Sequence, residues 1–329
     1  MGTPLEDLVY PPPPDIPRIK YIKTFSGDAD LIEGGSMVTE VLLGSSGRIA
    51  IGKPMGIHAS GDGRLYVTDT AKNDVYIFDL KTKTATTVST VGDYRRFSKP
   101  VGAASDKSGR LFVSDSANDN VTVFDKDMKS IGTLLPDTPF KQPVGIAIDS
   151  ERKKIYVVDT HEHHVRVFDL ETLKQISVIG GRGRGDGAFN YPSNAALDSK
   201  GNLYVVDTQN GRVQKFDTDG RFILRYGEFG DAPGMFARPR GVAIDSEDHV
   251  YVVDAAFNVV QIFDSEGQIL MSFGSYGSGR GNMILPAGIA IDKDDFIYVV
   301  DSINGRVVVF EYLGDKHKAR EEQKKAKKG

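Results

Sequence analysis

The chain has 329 residues, of which 40% are hydrophobic and 26% are charged, so it holds enough apolar side chains for a large core. A net charge of −4 excludes a general attraction to nucleic acid, and the absence of cysteine excludes disulfides, thiolate metal sites and thiol nucleophiles. No segment reaches the roughly 18 apolar residues that cross a bilayer, so no transmembrane segment is predicted.

The chain begins with a proline-rich lead over residues 1–17, in which Pro11 to Pro14 are consecutive. A run of prolines favours an extended, stiff backbone and cannot donate hydrogen bonds to a sheet, so the removal of residues 2–14 should change stability little. Residues 18–25 then alternate polar and apolar side chains, which predicts a strand. Residues 26–53 form an insert between this strand and the first repeat.

Six copies of one pattern follow: Pro-x-Gly and a short apolar stretch, then a turn, then an aromatic residue before Val-x-Asp. The repeats begin at Pro54, Pro100, Pro143, Pro192, Pro239 and Pro286, and their Val-x-Asp aspartates are Asp69, Asp115, Asp159, Asp207, Asp254 and Asp301. The spacing of these aspartates, 44 to 48 residues, is enough for about four strands and their turns.

Segments such as residues 202–207 are apolar on both faces, as expected when each sheet lies between two neighbouring sheets. A closed ring buries both faces of every sheet without exposed ends. The sequence therefore predicts an all-β, six-bladed β-propeller with four antiparallel strands per blade.

The last repeat lacks an outer strand. After Phe310 the chain continues into residues 314–329, a strongly basic tail that we expect to be disordered and solvated. Residues 18–25 are therefore predicted to supply the missing outer strand and close the ring, so that the propeller covers residues 18–313. In that strand we expect Ile19, Tyr21 and Ile22 to be buried.

Two recurring side chains have structural explanations. The Val-x-Asp carboxylate precedes a polar turn, where Asp commonly accepts backbone N–H groups, so we expect no catalytic role for it. An aromatic residue ends the third strand of every repeat, and its regular placement indicates packing in the core. These aromatic residues are Phe78, Phe124, Phe168, Phe216, Phe263 and Phe310.

Three stretches of the repeat carry a resemblance to a known family: Pro-x-Gly-Ile/Val-Ala-x-Asp, Leu/Ile-Tyr-Val-Val-Asp-Thr/Ser-x-Asn-Gly-Arg-Val and Phe-Asp. They resemble the NHL repeat over residues 54–312, and the absence of Trp separates them from the Trp-Asp signature of WD40 propellers. The lead from Tyr10 to Ile19 is similar to the start of exported bacterial NHL-repeat lipoproteins. That resemblance implies a periplasmic or outer-membrane protein, a lipid anchor in its precursor and a short helix at residues 37–43. A cytoplasmic location is the alternative.

Some NHL propellers are enzymes, and the amidating lyases hold zinc in the central channel with histidines that directly follow the first proline of the inner strand. In this chain those positions hold Met55, Val101, Val144, Ser193, Arg240 and Ala287, none of which is a zinc ligand. A lactonase resembling the SMP-30 group would need carboxylate and Asn ligands at the channel, where Asn194 is the one evident oxygen ligand. We expect no active site and no cofactor, with a metal-dependent hydrolase or lyase as the alternative.

Four histidines are weak candidates for a metal site, although we expect no metal. His58 lies on an inner strand where the other five repeats have Ala, which favours a hydrogen-bonded packing role. His161, His163 and His164 flank Glu162 in the turn between strands two and three of the third repeat. Two of these imidazoles could share a Zn, Ni or Cu ion, but a tight turn rarely offers three converging ligands. We interpret the segment as a solvated polar turn.

The loops that join each blade to the next share one propeller face with the turns between strands two and three. We call it the loop face, and the repeats differ most there. Arginine and exposed aromatic residues are typical of interface hot spots. The candidate binding residues on this face are Arg182, Arg184, Arg212, Phe229, Arg240, Phe257, Tyr276 and Arg306.

These residues predict a monomeric, non-catalytic scaffold that binds a protein or peptide on the loop face. Single-stranded RNA is an alternative ligand, because some NHL domains bind it on a basic face. Asp74, Asp186 and Glu228 dilute the basic patch in this chain, so nucleic acid is not the expected partner.

Overall fold

The computed structural model describes residues 7–31, 49–92 and 95–327, and the helix expected at residues 37–43 lies outside the described residues. Within those ranges the strands form six sheets of four or five strands and one two-stranded ribbon. The strands before the repeats are β1 (Val9–Tyr10) and β2 (Ile19–Phe25). A short 3₁₀ turn, Asp28–Leu31, follows them.

Blade one contains β3 (Pro54–Ala59), β4 (Arg64–Asp69), β5 (Asp74–Asp79) and β6 (Thr84–Val88), and the ribbon of β7 (Thr90–Val91) and β8 (Arg95–Arg96) follows it. Blade two contains β9 (Pro100–Ser105), β10 (Leu111–Asp115), β11 (Asn120–Phe124) and β12 (Ser130–Thr133). Blade three contains β13 (Pro143–Asp149), β14 (Lys154–Asp159), β15 (His164–Asp169) and β16 (Gln175–Gly180). The last three contain β17 (Pro192–Leu197), β18 (Leu203–Asp207), β19 (Arg212–Phe216) and β20 (Phe222–Tyr226), then β21 (Pro239–Ile244), β22 (Val250–Asp254), β23 (Val259–Phe263) and β24 (Ile269–Phe273), then β25 (Pro286–Ile291), β26 (Phe296–Asp301) and β27 (Arg306–Tyr312). The 3₁₀ turns Thr160–Glu162 and Thr208–Asn210 lie on the loop face.

Neighbouring strands in each blade pair antiparallel, and in the first five blades their order in the sheet follows the chain. Each blade therefore begins with an inner strand at the central channel and ends with an outer strand at the rim. This confirms the six-bladed propeller with four antiparallel strands per blade.

The N-terminal strand closes the ring as predicted. Strand β2 pairs antiparallel with β27, so that the sixth sheet has the order β1-β2-β27-β26-β25. Ile19 is fully buried in the cluster between blades five and six, and Phe25 packs against Phe78 of blade one with ring centroids 5.2 Å apart. The expected burial of Ile22 is wrong, because a register shift between Tyr21 and Lys23 leaves Ile22 36% exposed.

The proline-rich lead is packed on the propeller, although no pairing with the sheet was expected for it. That removal of residues 2–14 changes stability little stays a prediction. Val9 and Tyr10 extend the sixth sheet by pairing with β2. The Tyr10 ring lies 6.0 Å from the Phe273 ring and 6.3 Å from the Phe310 ring. The residues that pair precede the prolines, so the missing proline donors do not prevent this contact.

The core is divided among the interfaces between blades. Six clusters of buried apolar residues fill the six interfaces around the ring. The aromatic residues that end the third strands are at most 1% exposed, which confirms their packing role. Close approach of the inner strands explains the glycine of Pro-x-Gly, because a Cβ on Gly56 would overlap the Val101 carbonyl oxygen of the next blade.

The basic tail forms a helix, α1 (Asp315–Ala326), so the expectation of a disordered, solvated segment is wrong for residues 315–326. Arg320 fastens the helix to blade six. Its guanidinium donates to Glu311 Oε1 and to the Asp294 carbonyl oxygen, both at 2.7 Å, and lies 5.1 Å from the centre of the Phe296 ring. No helix in the described part of the chain is long and apolar enough to cross a membrane.

Candidate binding face and channel mouth

The recurring aspartates hold the loop face together. All six are at most 1% exposed. Asp69 accepts backbone N–H groups from Lys53, before the inner strand, and from Ala71 and Lys72, in the turn after the second strand. Asp254 likewise accepts the backbone N–H groups of Arg238 and of Ala256, in the turn of blade five. The carboxylates are therefore structural, as expected.

Arg212 and Arg306 are also structural, which corrects their prediction as binding residues. Arg212 is 4% exposed, and its Nε donates to Asp207 Oδ2 at 2.8 Å. Its Nη2 donates to two carbonyl oxygens of the loop before blade four. Arg306 bonds Asp301 at 2.8 Å and three carbonyl oxygens of the loop before blade six. Burial raises the pKa of Asp207, and the Arg212 guanidinium opposes that change.

Blade three has a similar clamp at a position that the repeat pattern did not reveal. Arg166 is 1% exposed and donates to Asp159 Oδ2 at 2.9 Å and to the carbonyl oxygens of Thr138 and Pro139. It stands two residues after the signature position, where this blade has His164. The available signal in the sequence was this arginine two residues further along the strand, where its side chain lies on the same face of the sheet as the signature position.

Three connecting loops share one backbone arrangement. Each contains an isolated parallel bridge between an outward residue and a fully buried anchor seven positions later. The bridges are Arg182 to Phe189, Phe229 to Phe236 and Tyr276 to Met283. The outward residues therefore occupy equivalent places on the loop face, where Phe229 is 54% exposed and Tyr276 is 71% exposed.

Other exposed residues surround these loops. Arg182 and Arg184 are exposed, and Phe257 is 36% exposed in the turn of blade five. Three further large exposed side chains on the same face were not predicted from the sequence: Tyr191, Leu285 and Ile303. Tyr191 and Leu285 directly precede the first proline of a repeat, so their regular position was the signal that could have found them.

The inner strands enclose a central cavity of about 630 Å³ that reaches the loop face. We define the channel mouth as the lysine, arginine, glutamine and tyrosine side chains that line the cavity on that face. They are Lys99, Gln142, Tyr191, Gln209, Arg238 and Arg240. Below the mouth the walls are mainly apolar.

Arg240 is the candidate residue that the structure brings into the channel. It is half-buried, and burial and the neighbouring Arg238 lower its pKa. Its side chain forms no hydrogen bond or ion pair with any described residue. Because the described residues that line the cavity include no Asp or Glu, the positive charge at the mouth is not compensated within the cavity.

His58 is a hydrogen-bonded side chain in the channel wall. Its Nε2 lies 2.9 Å from Ser105 Oγ in the next blade, and its ring stacks on Tyr66 at 6.1 Å. Burial lowers the pKa of His58 to about 4, against the opposing effect of Asp62. The imidazole is therefore neutral at neutral pH.

The turn with three histidines packs against the channel mouth. The Tyr191 N–H donates to His163 Nδ1 at 3.1 Å, and the Tyr191 ring lies 4.5 Å from His163 and 5.7 Å from His161. Glu162 pairs with a lysine, while His164 Nε2 is buried without a hydrogen bond. Within the described ranges, no three His, Cys, Asp or Glu side chains are grouped to hold a metal ion.

Two family models match parts of the chain: the SMP-30/Gluconolactonase/LRE-like region over residues 133–233 and the 6-bladed beta-propeller over residues 246–322. The NHL repeat-containing protein 2 of Gallus gallus is 31% identical over 93 residues. The chain is a six-bladed propeller of NHL-type repeats. The matched stretch is 25% of this chain and 13% of the chicken protein, so the likeness covers a small part of that relative.

Solved structures share the propeller architecture at low sequence identity. An auxiliary nutrient binding protein from Bacteroides thetaiotaomicron has a TM-score of 0.62 and 16% identity, over 80% of this chain and 70% of that chain. Virginiamycin B lyase from Staphylococcus aureus has a TM-score of 0.58 and 16% identity, over 79% of this chain and 94% of that chain. At these identities the likeness concerns the fold alone.

The cavity of this NHL propeller does not fit the donor set of a lactonase-like metal site. Divalent hard cations need several oxygen ligands, most of them carboxylates. Asn194 lies in the wall at the place of the inner-strand glycine, but its Oδ1 accepts the Ala195 N–H at 2.7 Å. With no carboxylate among the described lining residues, the cavity offers too few oxygen ligands for such an ion.

Proposed function

We propose that this NHL propeller is a non-catalytic platform that binds a protein or peptide on its loop face. The observation that carries the proposal is the equivalent placement of Phe229 and Tyr276 on loops with the same backbone arrangement. Buried anchors and side-chain clamps hold both loops, so the two aromatic side chains are presented on a rigid frame. Large rigid side chains bind at a small cost in conformational entropy.

The surroundings of these aromatics suit a protein surface. Phe257 and Ile303 add apolar area on blades five and six, and Arg182 and Arg184 add cationic groups on blade four. A centre rich in aromatic and other apolar residues and in arginine is the usual composition of a protein interface.

We further infer that the protein is a monomer of the bacterial cell envelope. Support comes from the lead, which is similar to the start of exported NHL-repeat lipoproteins. The fold is also shared with a nutrient-binding protein of Bacteroides. Cell fractionation with an antibody against the propeller tests the location, and recovery in the cytoplasm would contradict it.

A protein partner is better supported than single-stranded RNA. Binding of RNA needs arginines that are free to contact phosphates and stack on bases. Arg212 and Arg306 are held by carbonyl oxygens. These contacts take two of the predicted arginines out of the basic patch that the sequence indicates.

Peptide selection tests the proposed function. A displayed random peptide library is selected on the full chain, and the best binders are measured by fluorescence anisotropy. Replacing Phe229, Phe257 and Tyr276 together by Ala should weaken binding at least tenfold, because hot-spot aromatics each contribute about 2 kcal/mol or more.

The matched control replaces three exposed apolar residues of the outer rim, Ile131, Ile176 and Leu270, by Ser. This control should bind the selected peptides as the unmodified chain does. Equal losses in both variants, or selected peptides that bind the loop-face variant unchanged, would contradict the proposal.

A further inference from the structure

The channel mouth concentrates positive charge without an internal counter-charge. Lys99 and Arg238 are exposed at its rim, and Arg240 is half-buried beside Arg238. None of the three side chains forms an ion pair with a described residue. Elsewhere on this face the buried arginines, such as Arg212, have a carboxylate partner.

Other polar groups near the channel are already used by the fold. Thr160 Oγ1 donates to the Pro192 carbonyl oxygen at 2.9 Å, and Thr208 Oγ1 donates to the Pro239 carbonyl oxygen at the same distance. Ser302 Oγ donates in the same way to the Pro54 carbonyl oxygen at the junction of blades six and one. These hydroxyls connect neighbouring blades, so the cations and the amides of Gln142 and Gln209 are the groups left to meet a ligand.

An uncompensated, half-buried guanidinium beside a second guanidinium is unfavourable, because burial weakens hydration and like charges repel. A carboxylate at the mouth would reverse both effects, since arginine binds carboxylates through two parallel hydrogen bonds. Gln142 and Gln209 lie at the same rim and offer further amide donors.

The volume and lining of the cavity behind the cations indicate what kind of molecule could carry the carboxylate. The cavity of about 630 Å³ lies within the usual range for small-molecule sites. Its walls below the mouth are mainly aliphatic. The apolar lining side chains that remain partly exposed include Met55, Val101, Val144, Ile148, Leu197 and Ile244. A ligand that fills this channel therefore needs an apolar body behind its charged group.

We propose that the channel mouth binds the carboxylate of a small amphiphilic organic acid, whose apolar body lies in the central channel. This goes beyond the proposed platform function, because a ligand in the channel requires no protein on the loop face. Arg238 and Arg240 hold the carboxylate, Lys99 adds positive charge from blade two across the mouth, and the aliphatic walls hold the body.

Calorimetric titration of the full chain with octanoate, at low ionic strength, tests the site. Octanoate should bind saturably, with a dissociation constant on the order of 1 mM or lower. Octylammonium and 1-octanol, which keep the apolar body, should bind at least tenfold more weakly. Equal binding of octanoate and octylammonium, or no saturation by octanoate, overturns the proposal.

Variants locate the site. The double variant Arg238→Gln and Arg240→Gln should weaken octanoate binding at least tenfold, while Arg221→Gln, an exposed arginine outside the channel mouth, should not. Lys99→Glu, at an exposed position across the mouth, introduces a negative charge and should weaken binding to a smaller extent without a risk to folding. Thermal melts verify that each variant is folded. Unchanged octanoate affinity in both Lys99→Glu and the folded double variant overturns the assignment.

Discussion

Arginines of the loop face fall into two groups according to burial. Arg212 is enclosed by Asp207 and loop carbonyl oxygens, whereas Arg184 is exposed. The repeat signature shows the identity of a residue at a position, but the burial of its guanidinium depends on the loop folded over it. This explains why sequence reasoning placed both arginines on one binding surface.

Replacement of Arg212 by Ala should therefore destabilise the fold. Removing one partner of a buried ion pair leaves the other charge uncompensated, at a cost of about 3–5 kcal/mol. Arg184→Ala is the matched control and should change the free energy of unfolding by less than about 0.5 kcal/mol. Urea unfolding followed by circular dichroism measures both. Similar stabilities of the two variants would mean that the Arg212 clamp does not stabilise the loop.

His58 should make stability depend on pH. Burial lowers its pKa to about 4 from the ordinary 6.5. Below pH 6.5 the unfolded chain binds a proton that the folded chain does not, so the stability from this group is complete above pH 6.5 and is lost as the pH falls towards 4.

The measurement compares the wild type with His58→Ala, which introduces the residue of the other five repeats. Between pH 6.5 and 4, the free energy of unfolding of the wild type should fall relative to the variant by up to about 1.4 kcal/mol per pH unit. His163 and His164 titrate in both proteins and cancel in the difference. Parallel stability curves would show that His58 titrates normally in the fold.

At the scale of elements, the alternation in residues 18–25 predicted a strand, and the outer strand missing from the last repeat predicted its place in the sheet. The alternation could not reveal the register shift between Tyr21 and Lys23. A shift reverses which of the following side chains face inward, and the polar and apolar pattern does not mark the residue at which it begins. Helix α1 was missed for a related reason. None of its residues is buried, so its sequence has no apolar stripe, and polar contacts such as that of Arg320 with Glu311 hold it.

Deletion of residues 1–25 should lower the melting temperature sharply or cause aggregation, because it exposes the edge of β27. Ile19 and Phe25 are fully buried, and each contributes about 1.5–3 kcal/mol of apolar burial. Deletion of residues 1–17 should have a smaller effect, since it removes the Tyr10 contacts but keeps β2. Circular dichroism melts compare the two with the full chain. A 1–25 deletion that melts like the full chain would rule out closure by β2.

At the scale of the whole molecule, the periodicity of the repeats determines the ring, and the ring determines which residues meet at its centre. Lys99 and Arg240 are far apart in the sequence, and they share the channel mouth because their blades begin at equivalent positions. Arg240 was predicted as a binding residue from its type and location. The sequence could not show that Lys99 and Arg238 also lack carboxylate partners, because the partners of a side chain depend on residues from several blades.

The closed ring should unfold as one cooperative unit. Each sheet is buried between two neighbours, so the loss of one blade interface removes support from the blades on both sides. Phe112 is fully buried between blades two and three, and Phe112→Ala should cost about 3–5 kcal/mol. The expected result in differential scanning calorimetry is a single transition at a lower temperature, with a calorimetric enthalpy equal to the van't Hoff enthalpy. Ile176→Ala, on the exposed rim, should melt as the unmodified chain does. Two separated transitions in Phe112→Ala would instead describe blades that unfold independently, as in an open repeat array.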